Sequence, residues 1–212
     1  MALALIFGTL TISDGWAQVI KPVTTRKDSA NQKKSTLKPY KDIITADAVT
    51  KVGVLTVHNV GDKYYVEVPD SSVGSEFLIA NWVLKAPAGT PKYSGEQINQ
   101  NTFYFEKGRG DVLYVRYAEH INKSDSTQMI YKAVRNSGVA PIIMTFDIKA
   151  YGPHKNAVID VTDLFQKDNI LSSVGSLKKD LGLTALQADK TFLQSIHTYP
   201  LNIEVTSTRT YS

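Results

Sequence analysis

Residues 53–68 read GVLTVHNVGDKYYVEV, and this stretch decides the fold class. Two short runs rich in Val, Thr and Tyr flank Gly61-Asp62, a residue pair that is typical of a two-residue hairpin turn. Branched and aromatic side chains favour strands because they pack well on a pleated surface. The stretch therefore predicts an antiparallel β-hairpin, which ends at the turn-forming residues 69–72.

A second hairpin is predicted further along the chain. Residues 76–85 (EFLIANWVLK) form an apolar run of strand type, and two prolines within residues 86–91 then break the chain. Residues 101–106 and 112–119 flank a turn with two glycines at 107–111, so we expect these two strands to pair. One face of the second strand is then apolar, with Leu113, Val115 and Tyr117.

The clearest strand pattern lies at residues 141–151. Apolar side chains alternate there with polar ones, which predicts a half-buried strand with Ile142, Met144, Phe146 and Ile148 on one side. Residues 157–161 are expected to pair with this strand across Gly152-Pro153. Residues 203–210 are predicted to form a late strand.

Helices are few in the sequence pattern. Residues 126–136 and 162–166 each predict a short helix. A longer helix is predicted from Thr184, where Thr184 and Gln187 have the spacing of a capping box and a helical stripe follows, with Ala185, Ala188, Phe192 and Ile196. Hairpins with a few short helices predict an α+β fold of mostly antiparallel sheet, as a sandwich or a partial barrel.

Composition excludes several classes of protein. The 212 residues are 42% hydrophobic and 21% charged, which is a globular composition. Cysteine is absent, so the chain has no disulfide, no cysteine-ligated zinc and no cysteine nucleophile. The net charge of +4 is too small to indicate a nucleic-acid-binding protein.

The first 38 residues are predicted to lie outside the folded domain. Residues 2–12 (ALALIFGTLTI) are almost all apolar, but a membrane-spanning helix needs roughly 20 residues. Together with the small-residue pattern Gly15-Trp16-Ala17, these residues indicate a signal peptide over residues 1–17, although no basic residue precedes the apolar run. A buried N-terminal strand is the alternative.

Residues 18–38 are polar and basic, which favours a flexible linker over a basic arm for lipid or nucleic acid. We therefore expect an exported protein without a transmembrane span, with one β-rich domain over residues 39–212 that is truncated at its C-terminal end.

The histidines do not form a recognisable zinc motif. Zinc proteases of the commonest type carry two histidines four residues apart on a helix, with Glu after the first. None of the four histidines fits this pattern, namely His58, His120, His154 and His197. A site assembled from distant histidines is the alternative, but an isolated histidine of this kind is expected to be a polar surface residue. We predict no metal ligand, no cofactor-binding residue and no catalytic residue in this chain.

Other short motifs have structural explanations. No two glycines are four residues apart, which excludes the Gly-x-Ser-x-Gly nucleophile elbow. Gly108-Arg109-Gly110 is not followed by the helix that a dinucleotide site requires, and the triplet Arg109-Gly110-Asp111 fits a hairpin turn. Asp160 and Asp163 could pair for acid–base chemistry or Ca²⁺ binding, but we expect Asp163 to support the start of a short helix.

Aromatic side chains are frequent on the predicted strands. The chain has 11 tyrosines, and five of them lie on these strands, namely Tyr64, Tyr65, Tyr104, Tyr114 and Tyr117. We expect them to pack across the sheet. Those on outward faces, together with Trp82, support the alternative function of a free-standing module that binds a glycan or a peptide.

Several sequence blocks in the same order resemble one protein family. They are KPYKDII (38–44), LTVHNVGDKYY (55–65), KAPAG (85–89), YKAVRNS (131–137), FDIKAYG (146–152) and VIDVTD (158–163). From about Lys38 to its end, the chain is similar to the N-terminal region of a family of exported zinc-dependent metalloproteases from certain Gram-negative bacteria.

This resemblance implies that the chain is a non-catalytic N-terminal module, acting as a scaffold or a propeptide-like partner of a downstream peptidase domain. In that family, the N-terminal segments are domains of unknown function, and a downstream metzincin-like domain binds zinc with an extended His-Glu-x-x-His motif. No position of this chain matches that motif, so no zinc ligand is carried over. The resemblance also implies a location in the periplasm, at the outer membrane or outside the cell.

Overall fold

The computed structural model describes residues 37–118 and 138–212. Within these residues there are ten strands: β1 (Val49–Lys51), β2 (Thr56–Val60), β3 (Lys63–Val68), β4 (Glu76–Trp82), β5 (Gln97–Lys107), β6 (Val112–Tyr117), β7 (Ile142–Tyr151), β8 (Ala157–Asp160), β9 (Phe192–Thr198) and β10 (Ile203–Thr208). The described helices are short: α1 (Tyr40–Ile43), α2 (Thr162–Gln166) and α3 (Leu177–Asp180), with 3₁₀ turns at Asp70–Ser72, Pro153–Lys155 and Ala188–Lys190.

Eight strands form one curled antiparallel sheet, in the order β1-β2-β3-β8-β7-β6-β5-β4, and β9 pairs with β10 in a second sheet. The predicted α+β fold of mostly antiparallel sheet is confirmed. Both predicted hairpins are present as β2–β3 and β5–β6. The first turns at Gly61, whose φ of 58° lies in the left-handed region that glycine adopts without a steric cost.

The main hydrophobic core lies on one face of the large sheet. It is covered there by side chains of α2, β9 and β10, such as Leu164, Leu193 and Val205. Its most deeply buried side chains come from the central strands and from the segment after α2, and include Val68, Leu113, Val115, Ile159 and Leu171. The alternation predicted for β6 and β7 supplies part of this core, since Phe146 and Ile148 are buried, although Ile142 at the start of β7 is 47% exposed.

A smaller core lies on the opposite face of the sheet. Tyr65, Ala150 and Val158 are buried there, and the N-terminal segment around α1 covers them with Tyr40, Ile43 and Ile44. A β-bulge in β7 makes this possible, because Ile148 pairs with Ile159 whereas Ala150 pairs with Val158. The extra residue, Lys149, shifts Ala150 to the opposite face from Ile148.

The helix predicted from Thr184 to Ile196 is wrong: residues 192–198 form β9, which pairs with β10. The register of this pair shifts, so that Ser195 pairs with Thr206 and Leu193 with Ser207. Gln194 is therefore a bulged residue, and Leu193 and Ile196 are both buried despite being three positions apart. The stripe that indicated a helix does not mark a buried face, because Ala185, Ala188 and Phe192 are exposed and only Ile196 is buried.

The two other predicted helices have different outcomes. Residues 162–166 form α2, as predicted. Residues 126–136 lie outside the described part of the chain, as do the predicted signal peptide and nearly all of the linker. Among the described residues, no helix is long and apolar enough to cross a membrane.

Candidate functional site

Glu67 is the centre of a buried polar cluster on the smaller-core face of the sheet. It lies on β3 between two apolar residues that face the main core, and only 4% of its surface is exposed. Three other segments bring polar side chains to its carboxylate: α1 supplies Tyr40, β2 supplies His58, and the turn between β7 and β8 supplies Asn156. These residues and Thr50 are called the Glu67 cluster below.

Both carboxylate oxygens of Glu67 accept hydrogen bonds. Oε1 accepts from the Tyr40 hydroxyl at 2.6 Å and lies 2.9 Å from His58 Nε2. Oε2 accepts from Asn156 Nδ2 at 3.1 Å. A buried carboxylate is costly unless such donors satisfy it, so these contacts determine whether the charge is tolerated.

His58 links the carboxylate to the edge of the sheet. Its second ring nitrogen, Nδ1, lies 2.8 Å from the hydroxyl oxygen of Thr50, which pairs with His58 across β1 and β2. Only 2% of His58 is exposed, so the expectation that it is a polar surface residue is wrong. The reason is the register of the β2–β3 hairpin, which places His58 opposite Tyr65 on the same face as Glu67.

Gly152 makes room for the carboxylate. A Cβ atom at this position would lie 3.0 Å from Cδ, Oε1 and Oε2 of Glu67, which is closer than nearly all real contacts of this kind. The glycine of the predicted β7–β8 connection therefore allows the close approach of the Glu67 carboxylate. A side chain at this position would require the Glu67 carboxylate to shift by a few tenths of an ångström.

The position of Tyr40 affects its ionisation. Burial raises the pKa of the Tyr40 hydroxyl, and the hydrogen bond to Glu67 and the negative charge of Glu67 raise it further. Tyr40 therefore remains a neutral donor in the folded state well above the pH at which an ordinary tyrosine ionises.

We expect Tyr40→Phe to make stability less sensitive to alkaline pH. Because the folded pKa is raised, the contribution of Tyr40 is fully present below about pH 10, the ordinary tyrosine pKa, and is lost as pH rises toward the folded pKa. In that window, the free energy of unfolding of the wild type should fall more steeply than that of the variant, by up to about 1.4 kcal/mol per pH unit. Urea unfolding at several pH values measures the difference. Tyr93→Phe, at a residue that is 77% exposed, is the control and should keep the wild-type slope.

A second polar cluster joins the end of the chain to the segment after α2. The guanidinium of Arg209 donates to the Phe165 carbonyl at 2.7 Å and to Ser172 Oγ at 2.8 Å, and Asp168 accepts from the Tyr211 hydroxyl at 2.7 Å. Burial alone would raise the pKa of Asp168, but hydrogen bonds from Tyr211 and Lys178 outweigh it and lower this pKa. Burial, followed by the bond to Asp168, raises the pKa of Tyr211 to about 12. These contacts hold the end of the chain against residues 165–172.

The two other histidines in the described part of the chain are exposed. His154 is exposed in the 3₁₀ turn between β7 and β8, and His197 is exposed on β9 with its Nδ1 3.2 Å from Lys51 Nζ. His120 lies outside the described residues. Within residues 37–118 and 138–212, no three His, Asp or Glu side chains converge on a point that could hold a metal ion.

The two aspartates considered as a pair have separate structural partners. Asp160 accepts from the Thr162 backbone N–H at 3.1 Å at the start of α2, and its other oxygen lies 3.5 Å from Lys63 Nζ. Asp163 lies in the first turn of α2, as predicted, and its carboxylate is 2.7 Å from Lys167 Nζ. Each carboxylate is therefore held by its own partners, Thr162 and Lys63 for Asp160 and Lys167 for Asp163.

Several exposed aromatic and apolar residues lie on β4 and in the loop after it, at the other edge of the large sheet. Leu78 and Trp82 are 65% and 57% exposed, and Leu84 just beyond the strand is 61% exposed. The loop after β4 returns to it through hydrogen bonds between Val83 and residues 95–96, and carries the exposed Tyr93. Leu78, Trp82, Leu84 and Tyr93 are called the β4 surface below.

Backbone groups are also open along β4. The Thr102 carbonyl accepts from Ala118 N–H on the β6 side of β5, so it does not face β4. Since Thr102 pairs with Leu78, the backbone N–H and C=O of Leu78 point away from β5, toward the edge. In the described part of the chain, no strand pairs with β4 on that side. The five tyrosines on the predicted strands, in contrast, are buried or half-buried, with Tyr65 buried and Tyr64 packed against the main core.

Two regions of the chain match known protein families. Residues 95–212, more than half of the chain, match the family described as Domain of unknown function (DUF5117). The chain belongs to this family. Residues 37–86 match a second one, Domain of unknown function (DUF5118). No curated protein and no solved structure matches the chain.

The two matched regions share one sheet. The DUF5118 region supplies β1, β2 and β3 at one edge and β4 at the other, whereas the DUF5117 region supplies β5 to β8 between them. The Glu67 cluster crosses the same boundary, because Asn156 belongs to the DUF5117 region and the other members to the DUF5118 region. The cluster therefore connects the two regions directly.

Proposed function

We propose that this chain is a non-catalytic N-terminal module of an exported zinc-dependent metalloprotease, and that its β4 surface packs against the downstream peptidase domain of the same polypeptide. The observation that carries the proposal is the exposed apolar edge at β4. The resemblance of the blocks between residues 38 and 163 to such proteases supplies the partner. Zinc belongs to the downstream domain in this proposal, and the module serves as a scaffold or a propeptide-like partner.

The β4 surface has the chemistry of a protein contact. Large apolar side chains that lie together on a surface favour association, because burying them removes apolar area from water. An edge strand with open N–H and C=O groups also offers hydrogen bonds to an added strand or loop. Trp82 is the natural anchor, since tryptophan is enriched among residues that dominate binding energy.

The proposal places the protein outside the cytoplasm. The apolar run at residues 2–12 supports export, followed by residence in the periplasm, at the outer membrane or in the medium. Mass spectrometry of the exported protein tests this part, because a signal peptide cleaved after Ala17 leaves Gln18 as the first residue. An exported protein that retains Met1 would contradict it.

The central test compares this chain with the peptidase domain encoded after Ser212. The gene should continue in frame into a zinc motif, and the separately purified peptidase domain should bind the 212-residue chain and cleave casein. The chain alone should neither bind zinc nor cleave casein. Stoichiometric zinc in the chain together with casein cleavage would overturn the proposal, as would a gene without the motif.

We expect Leu78→Ala/Trp82→Ala to weaken binding of the chain to the peptidase domain by at least tenfold. Removal of a central aromatic anchor typically costs about 2 kcal/mol or more, which exceeds the roughly 1.4 kcal/mol of a tenfold change. Leu201→Ala is the matched control, because Leu201 is 92% exposed and lies outside the β4 surface. Isothermal titration calorimetry measures both variants, and equal affinities would count against docking through β4.

A second function is favoured by the aromatic content of the same surface. Trp82 and Tyr93 are both exposed, and such rings stack against sugars or pack on peptides, which fits a free-standing glycan- or peptide-binding module. A glycan array and a peptide library distinguish it from the first function. Saturable binding that is lost in Trp82→Ala, without binding to the peptidase domain, would favour this alternative.

A further inference from the structure

We propose that Thr50 is an activated hydroxyl that accepts acyl groups from activated carboxylic esters, with His58 as its general base and Glu67 as the positioning residue. This inference is independent of the proposed docking function and of zinc. It rests on an unbroken chain of contacts from the hydroxyl of an exposed residue to a buried carboxylate. Thr50 Oγ1 lies 2.8 Å from His58 Nδ1, and His58 Nε2 lies 2.9 Å from Glu67 Oε1.

The carboxylate fixes the proton on the imidazole ring. An ionised carboxylate only accepts hydrogen bonds, so His58 Nε2 must carry the hydrogen in its contact with Glu67. In the neutral ring, Nδ1 then has a free electron pair, and the Thr50 hydroxyl donates to it. A nucleophile, a base and a group that orients the base form the arrangement that activates hydroxyls in acyl transfer.

The other members of the cluster hold this arrangement rigid. Tyr40 and Asn156 occupy the remaining positions on the Glu67 carboxylate, and both Glu67 and His58 are almost fully buried. Thr50, in contrast, is exposed on the outermost strand of the sheet. The two buried side chains therefore connect to the hydroxyl of a residue at the exposed edge of the sheet.

The sheet geometry also directs a backbone donor to the same place. The backbone of Tyr64 bonds to Val161 and Thr162, so it faces β8 rather than its partner Asn59 on β2. Asn59 consequently faces its partner Val49 on β1, and the next residue, Thr50, points its N–H and C=O away from β2. The N–H of Thr50 is thus directed to the edge, where it can donate to a developing oxyanion beside its own hydroxyl.

The reaction with a p-nitrophenyl ester balances without an added cofactor. Thr50 Oγ bonds to the carbonyl carbon while its proton moves to His58 Nδ1. The bond from that carbon to the phenol oxygen breaks, and p-nitrophenolate leaves with the electron pair. His58 then releases its proton to solvent, which leaves an acyl ester on Thr50.

The test is incubation of the 212-residue chain with p-nitrophenyl acetate, followed by peptide mapping. Cleavage after Lys41 and Lys51 yields a peptide that contains Thr45 and Thr50, and fragment ions separate the two. We expect acetyl to form on Thr50 at least about 100-fold faster than on Thr184, because general-base catalysis typically contributes that much or more. Thr184 is the control because it is exposed but its hydroxyl bonds only to Ser212 in the structure.

Substitutions at Thr50 complete the test. Thr50 is exposed, so Thr50→Ser and Thr50→Val should fold, which the thermal unfolding midpoint verifies. Thr50→Ser should keep the rapid acetylation, and Thr50→Val should lose the corresponding release of p-nitrophenolate. In urea, acetylation of wild-type Thr50 should fall to the rate of Thr184, since the relay exists only in the folded chain. Equal rates at Thr50 and Thr184 in the folded protein, or no change at Thr50 on unfolding, would overturn the proposal.

Discussion

Glu67→Ala is expected to lower the free energy of unfolding by about 3–5 kcal/mol, because three donors lose their acceptor at about 1–3 kcal/mol each. The substitution removes the acceptor for Tyr40, His58 and Asn156 in one step, and it leaves the imidazole of His58 buried without its partner. Buried donors that lose their acceptor retain the full cost of leaving water. It also removes a link between the DUF5118 and DUF5117 regions, which meet at this carboxylate. Urea unfolding monitored by circular dichroism measures the loss.

Two further variants separate this effect from a general loss of charge. Glu67→Gln keeps one carbonyl acceptor but replaces the other with a donor, so its stability should lie between those of the wild type and Glu67→Ala. Asp163→Ala removes a carboxylate from an ion pair with Lys167 in which both side chains are 67% exposed, and should cost at most about 1 kcal/mol. A loss below about 1 kcal/mol in Glu67→Ala would show that the cluster does not stabilise the fold.

Only part of the Glu67 cluster can be predicted from the sequence. The turn at Gly61-Asp62 was sufficient to predict the β2–β3 hairpin, and its two-residue length fixes the register. That register alone places His58 and Glu67 on the same face, a signal that was available in the sequence. The other partners of Glu67 on this face could not be predicted. Tyr40 and Asn156 lie 27 and 89 residues from Glu67 in the sequence, and only tertiary packing brings them to its carboxylate.

The bulges explain most of what the periodicity could not predict. Strand patterns were reliable where the alternation of side chains was regular, as in β2, β3 and β6. Where one extra residue interrupts a strand, the buried positions lose their period of two. In β9 the bulge at Gln194 leaves Leu193 and Ile196 both buried, and in β7 the bulge at Lys149 moves Ala150 to the smaller core. Neither bulge leaves a local signature as clear as a turn dipeptide.

Gly53 is a second position whose role depends on an unpredicted contact. In the sequence it only begins the first hairpin, but in the structure it lies against the turn between β9 and β10. A Cβ atom on Gly53 would lie 2.3 Å from Thr198 Oγ1 and 2.6 Å from the Tyr199 carbonyl oxygen. The neighbouring Val54 N–H donates to that same carbonyl at 2.7 Å. The two sheets therefore approach each other closely where residue 53 has no side chain.

Gly53→Ala is expected to destabilise the fold by about 2–3 kcal/mol, because the added methyl group meets backbone atoms that cannot rotate away. Relief requires the β9–β10 hairpin to move off the large sheet, which would also weaken the contacts of Leu193 and Ile196 in the main core. Gly138→Ala is the matched control: a Cβ atom there meets nothing within 4 Å, so its stability should stay equal to the wild type or rise by up to about 1 kcal/mol. Thermal and urea unfolding of both variants provide the comparison. Equal stabilities of Gly53→Ala and Gly138→Ala would mean that the hairpin does not pack against residue 53 in solution.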